Sequence, residues 1–367
     1  MRPVIGVDPH KHVLSAVALD GRGGVLGRWS GSAARPGVGA LRAWAARQAP
    51  GAVWAIEGSN ALGRRLALAP VAAGADVRDV CPTRTADRRR KRPGRGKTDA
   101  VDAAAIGREL LADPGLPHAF KTAAPGLPDP AREALAVLVR ARHRVVDHHR
   151  RLLTEADAVL GELPAAVAAR LPGGAKTPPR LRAAARRRRT GERATDLRLR
   201  LLRAHARRER VLADERDALG REIEQLLGEL GTSLPALCGL GPLGAADLLA
   251  EVGDPRRFRS ADAFASDTGT APIPASSAED GGQARHDRLS RHGNRRLNSV
   301  LHVMAVTRLR THPETQAFVA RARAAGKSTG DAPRIVKRRL ARLVWTTMMR
   351  DRAGCAGPAP AAGAGPG

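Results

Sequence analysis

The chain has 367 residues, with 63 Lys and Arg against 36 Asp and Glu, a net charge of +27 and a pI of about 11.6. Hydrophobic residues make up 43%, enough for a sizeable core and too many for a wholly disordered chain. An aromatic content of 2% without any Tyr argues against a single-strand binder built on stacking platforms. No apolar run reaches the roughly 18–20 residues of a membrane span, and Asp8 cuts the first apolar stretch too short for a signal peptide. Cys81, Cys238 and Cys355 are too far apart for a disulfide framework or a zinc spacing. The expectation is a soluble, cytoplasmic chain of two or three domains with no membrane partner, whose excess positive charge suits nucleic acid.

In chain order, Val4–Val7, Val13–Leu19 and Val25–Trp29 read as strands, the last two separated by the turn Asp20-Gly21-Arg22-Gly23-Gly24. Val38–Gln48 has helical periodicity, and Ala52–Ile56 is a fourth strand ending at Glu57-Gly58. Ala61–Ala69 reads as a helix stopped by Pro70, and Asp76–Val80 as a fifth strand. Hairpin-like strands followed by alternating helix and strand predict a mixed α/β sheet. Residues 84–97 carry eight basic residues and one acid with Pro93, Gly94 and Gly96, a basic loop that includes Arg88, Arg89, Arg90, Lys91, Arg92 and Lys97. Thr98 can cap a helix from Asp99 to about Leu111.

Residues 113–130 contain five prolines and read as a linker. Two long helices follow, over 131–160 and about 192–230. In the second, Leu212, Leu219 and Leu226 recur every seven residues, with Ile223 and Leu230 four after the last two, a coiled-coil-like seam. Between the helices, Arg186–Arg189 is a run that suits either a solvated helix face or nucleic-acid contact. Residues 234–350 read as mostly helical, and the Gly/Ala/Pro tail as disordered. The expected domains are 1–112, 113–230 and 231–350, with 351–367 as the tail.

Asp8 directly follows the first apolar strand and Glu57 the fourth. Asp99 and Asp102 are three apart, so both project from one face of the helix that they open. Such carboxylates can converge at one sheet edge, where only cations make the cluster affordable. Hard oxygen ligands suit Mg²⁺ or Mn²⁺, and two such ions can activate one oxygen and stabilise another in phosphodiester chemistry. Further on, Leu234–Ala246 reads as a helix-hairpin-helix-like element. Its Gly239-Leu240-Gly241 turn would present backbone N–H groups to phosphate at a helix start. Around the serine pair Ser276-Ser277, arginines 285, 288, 291, 295 and 296 could bind a phosphodiester.

Three acidic segments carry a resemblance: Gly6-Val7-Asp8-Pro9-His10-Lys11, Ala55-Ile56-Glu57-Gly58 and Lys97-Thr98-Asp99-Ala100-Val101-Asp102. They resemble the motifs of the IS110/IS1111-type transposases, the DEDD transposases of bacterial insertion sequences and bridge-RNA-guided recombinases. The Gly-Leu-Gly hairpin, the loop Ala271-Pro272-Ile273-Pro274-Ala275-Ser276-Ser277 and the stretch Arg288-Leu289-Ser290-Arg291-His292-Gly293-Asn294-Arg295 look like that family's C-terminal domain. One departure is Ala278-Glu279-Asp280, which stands before Gly281-Gly282 where many relatives have Gly soon after the serines.

The resemblance implies a RuvC-like N-terminal domain of the ribonuclease H fold, a helical coiled-coil middle and a mostly helical C-terminal transposase domain. It implies Asp8, Glu57, Asp99 and Asp102 as ligands of Mg²⁺ or Mn²⁺ and Ser276 as nucleophile, with Ser277 as the neighbouring alternative. Its nucleic-acid contacts would come from Arg88, Arg89, Arg90, Lys91, Arg92, Lys97, Gly239, Gly241, Arg285, Arg288, Arg291, Arg295 and Arg296. The partners implied are donor and target DNA, a structured guide RNA and further copies of the chain in a dimer or tetramer, in a nucleoid-associated setting. Two rival readings remain on the residues alone. One is a Holliday-junction nuclease using the same acids with water, and the other a basic binding protein that needs no acids.

Overall fold

The computed structural model describes residues 1–82, 99–174, 176–274, 287–289, 293–325 and 332–354. The first part is a five-stranded sheet of β1 (Val4–Pro9), β2 (Val13–Leu19), β3 (Val25–Ser32), β4 (Val53–Glu57) and β5 (Val77–Val80), in the order β3-β2-β1-β4-β5. The pairs β1–β2 and β2–β3 are antiparallel, whereas β1–β4 and β4–β5 are parallel. β1 is buried along its whole length, as a central strand covered on both faces must be. β3 alternates exposed and half-buried residues, the pattern of an edge.

Alternation along the strands sorts side chains to two faces. Ile5, Val7, Trp54, Ile56 and Val77 form one core with α1 (Arg35–Gln48) and α2 (Arg64–Ala72). Val4, Ala55 and Val80 face the opposite way and pack on Ile106 and Leu110 of α3 (Asp99–Ala112). α3 lies very close to β1: a Cβ on Gly6 would be 2.2 Å from the Ala103 carbonyl oxygen and 2.6 Å from the Gly107 nitrogen. Two glycines and the alanines Ala103 and Ala104 are what allow this contact.

Several expected boundaries move. Pro70 lies inside α2 rather than ending it. It sits in the last turn, where it forfeits one hydrogen bond to Leu66 and buries its ring in the core. The proline-rich stretch is not a free linker: Ala119 and Phe120, in a short 3₁₀ turn over Ala119–Lys121, are buried in the α1/α2 core, and Arg78 bridges to His118.

α4 (Pro130–Gly161) and α7 (Arg193–Glu229) form an antiparallel arm. At its outer end Ala156, Leu160, Leu199 and Leu202 share a core with the short helices α5 (Ala165–Ala168) and α6 (Thr177–Ala185). At its base Leu135, Val139, Ile223 and Leu227 join the core of the C-terminal helices. The fully buried seam of α7 runs through Leu199, Leu202, Glu209, Ile223 and Leu227, while Leu212, Leu219 and Leu226 are only half-buried beside it. Gly220, one residue after Leu219, faces the Arg142 side chain of α4.

The C-terminal region comprises α8 (Gly241–Val252), α9 (Ala261–Asp267), a two-stranded ribbon of β6 (Pro272–Pro274) and β7 (Asp287–Leu289), then α10 (Arg295–Thr311), α11 (Pro313–Ala324) and α12 (Ala332–Arg352). α12 continues two residues past the expected start of the tail. Among the described residues no helix is long and apolar enough to cross a membrane.

Candidate active site

β1 and β4 run parallel with Val7 opposite Ile56, so Asp8 and Glu57 follow as the next pair in register at the carboxyl ends of the two strands. Asp8 shares the face of Val4 and Gly6, and Glu57 that of Ala55. Both therefore stand on the α3 side of the sheet. α3 runs antiparallel to β1, with Ala103 and Gly107 over Gly6, so its first turn lies beside Asp8 and carries Asp99 and Asp102. Ser15 of β2, opposite Asp8 in the antiparallel register, closes the other side and is buried. After Glu57 the chain turns sharply at Gly58, whose φ is +58° and whose N–H donates to the Val80 carbonyl at 2.9 Å. Ser59 is buried there and donates to Asp79 at 2.7 Å.

Asp8 is the buried member of the four, 6% exposed, whereas the Asp99 side chain is 58% exposed. Burial pushes the Asp8 carboxyl above its usual range. His10 opposes the rise, and the charges of Glu57, Asp102 and Asp99 add to it. The His10 Nε2 lies 3.3 Å from Asp8 and 3.7 Å from Asp99, between two carboxylates that demand positive charge. His10 stands in the first motif, and only the fold shows that it reaches both acids.

Among the described residues no group of three acidic, imidazole or thiol side chains is drawn together tightly enough to hold one metal ion. The donor chemistry nevertheless fits a hard divalent cation: four carboxylates share one edge, and the most buried of them is raised by its like-charged neighbours.

The C-terminal candidates divide. Gly239, with φ of +82°, packs against α10, where a Cβ would lie 3.0 Å from the Met304 carbonyl oxygen. Gly241, with φ of +63°, opens α8, has nothing within 4 Å of its Cβ position, and no side chain caps the helix. The first arm of the expected hairpin is only a three-residue 3₁₀ turn, Leu234–Ala236. Arg295 is exposed at the start of α10, and Arg296 donates to Glu251 at 3.0 Å. Ser276, Ser277, Arg88, Arg89, Arg90, Lys91, Arg92, Lys97, Arg285, Arg291 and the Arg288 side chain lie outside the described residues.

Sequence reasoning missed the residues that hold the foot of the serine loop. Asn294 caps α10 by accepting from the Arg296 and Leu297 N–H groups, and its amide donates to Glu251 at 3.0 Å. Asn298 donates to the Thr268 carbonyl at 2.9 Å and accepts from the buried Lys337 at 3.1 Å. A Cβ on Gly293 would lie 2.3 Å from the Gly269 nitrogen, so the two ends of the segment are pressed together. Asn before a helical run was a legible cap; Glu251 and Lys337 left no local signal.

A four-carboxylate edge on a mixed sheet, followed by a helical arm and a basic helical region, has the build of an acidic-motif transposase. The DEDD transposase family model of the IS110 type matches residues 5–163, and the model described as the IS116/IS110/IS902 transposase family matches residues 232–320. The chain is also similar to the insertion element IS900 uncharacterized 42 kDa protein of Mycobacterium paratuberculosis, 34% identical over 111 residues. That match takes in 30% of this chain and 27% of the relative. The chain belongs to the IS110 family of insertion-sequence transposases.

Proposed function

We propose that this chain cuts and rejoins DNA at the ends of an insertion sequence, using the acidic edge together with Ser276. The observation that carries the reading is the sharing of one sheet edge by Asp8, Glu57, Asp99 and Asp102. The strand order, with two antiparallel pairings on one side of a central β1 and two parallel pairings on the other, supports a RuvC-like member of the ribonuclease H fold.

The four acids would hold Mg²⁺ or Mn²⁺, which when bound activates the attacking oxygen and stabilises the leaving one. β1 holds Asp8 rigidly, and the first turn of α3 presents Asp99 and Asp102 toward it. The Ser276 hydroxyl loses its proton and attacks the scissile phosphorus. A serine–phosphate bond forms, the phosphate–sugar bond breaks, and the departing oxygen takes a proton as a strand-end hydroxyl. Attack by another strand-end hydroxyl on the phosphoserine reverses these bonds and frees the serine. Arg285, Arg288, Arg291 and Arg295 would neutralise the phosphate oxygens.

The acidic domain 1–112 of one subunit would meet the serine domain 231–350 of another, with region 113–230 mediating assembly into a dimer or tetramer. A structured RNA from the element would select donor and target DNA. The test is a denaturing gel of protein with labelled DNA and RNA. Ser276→Ala should lose the covalent adduct, Ser277→Ala should keep part of it, and chelation should prevent it. Cutting by Ser276→Ala that leaves free ends would mean water is the nucleophile, and the junction-nuclease reading would stand instead.

A further inference from the structure

The arginines of the arm take no part in the chemistry above. Between α6 and α7 runs a groove floored by Ala185, Ala206 and Ala213, with Arg182, Arg186, Arg203, Arg207 and Arg210 along it against Glu209 and Asp214. Glu209 is buried and already engaged by His149 at 3.4 Å and Arg182 at 3.3 Å, so the open side of the groove is strongly positive. Its shape is fixed. Arg203 donates from Nε to the Ala185 carbonyl at 3.1 Å and from a second nitrogen to the Arg187 carbonyl, which caps the end of α6 and holds it on α7. Arg186, Arg207 and Arg210 are exposed, and Arg188 and Arg189 extend the positive surface beside them. Guanidinium groups over an alanine floor suit backbone phosphates and offer little to read a base edge.

The position of the groove points to its occupant. Ile223 belongs to the core shared with the C-terminal helices, and Arg207 lies 16 residues earlier on the same helix. At 1.5 Å per residue that is about 24 Å, or roughly seven base pairs at 3.4 Å each. A DNA duplex engaged by the C-terminal helices and continuing along the arm would reach the groove without bending away.

We propose that this groove docks the sugar–phosphate backbone of duplex DNA flanking the site of strand exchange, without regard to sequence. The proposal rests on the transposase reading and concerns binding alone. Its test compares the full-length chain with the triple variant Arg186→Ala, Arg207→Ala, Arg210→Ala, which leaves Arg203 and Arg182 to hold the helices. Affinity for a duplex of about 40 base pairs should fall about 10- to 100-fold at intermediate salt, and the slope of log affinity against log salt should become shallower by about two to three. The outer phosphates of a hydroxyl-radical footprint should lose protection. If the triple variant melts early, Arg207→Glu alone reads the same footprint. A wild-type slope and footprint in the variant would overturn the groove and leave the transposase reading untouched. Weakened binding of a structured RNA with DNA binding intact would also overturn it, by assigning the groove to RNA. A wild-type chain that bound no duplex at all, even when loaded with the RNA of its element, would overturn both.

Discussion

The Nζ of Lys121 lies 3.2 Å from the Oε2 of Glu251, and this ion pair joins the α/β domain to the base of the serine loop. Lys121 follows Phe120, which is buried in the sheet core, while Glu251 also accepts from Asn294 and Arg296 at the start of α10. The Lys121 carbonyl accepts from the Asp254 N–H at 3.0 Å. Phe120 and Lys121 both hold positive φ, 59° and 56°, a conformation that costs about 1–2 kcal/mol per non-glycine residue and is kept only by such surroundings.

Burial pushes the Glu251 carboxyl up, but Lys121 and the donors Asn294 and Arg296 outweigh it and bring its pKa to about 2. A carboxylate with a depressed folded pKa contributes stability above its unfolded value and loses it as pH falls through the folded one. That contribution, on the order of 3 kcal/mol, is expected to be full at neutral pH and to fade between about pH 4.5 and 2. Glu251→Gln should lower the thermal midpoint at pH 7 and flatten the acid limb of an unfolding titration. An unchanged acid limb would mean that the ion pair is energetically idle.

Gly6→Ala tests how the acids are brought together. The added methyl would stand 2.2 Å from the Ala103 carbonyl oxygen, so α3 must move off β1. Overpacking of this kind costs about 1–3 kcal/mol or more, read by denaturant unfolding. Because α3 carries Asp99 and Asp102, DNA cleavage should fall far more than the loss of folded protein explains.

Asp8→Asn should make the metal-free protein more stable at neutral pH. Its raised pKa means that the charged form is disfavoured in the fold, so stability falls as pH rises through the range in which Asp8 ionises. Calorimetry with and without Mg²⁺ checks this: the ion should raise the wild-type midpoint and leave that of the variant nearly unmoved. Stabilisation of both to the same degree would place the ion elsewhere.

Asp102→Asn should abolish strand cleavage while folding and DNA binding stay nearly intact, since removing one carboxylate ligand disturbs the geometry at the metal rather than the fold. Cleavage by this variant at the wild-type rate in Mg²⁺ would remove Asp102 from the site.

Purified protein co-expressed with its flanking DNA should carry a discrete RNA whose binding weakens steeply with salt, as a chain of net charge +27 releasing phosphate counterions requires. Recombination at the correct site and full rate by RNA-free protein would contradict the guide requirement.

The five strands and the long helices were legible because each rests on local signals: period-two or period-3.6 apolar patterning and Gly turns. The four acids were legible because strand ends and a helix start are positions along a chain. That they share one face was decided by the parallel register of β1 with β4 and by the Gly6–Gly107 approach, which depend on pairing between distant segments. The buried seam of the arm runs through Leu199, Leu202, Ile223 and Leu227 and leaves Leu212, Leu219 and Leu226 half-buried, a choice made by the pairing with α4 and the helices at either end. Lys121 and Glu251 are 130 residues apart, and no local pattern links them. A half-buried carboxylate held by Lys121, Asn294 and Arg296 is written only in the packing of the folded chain, because its charge is tolerated there only when those partners are in place.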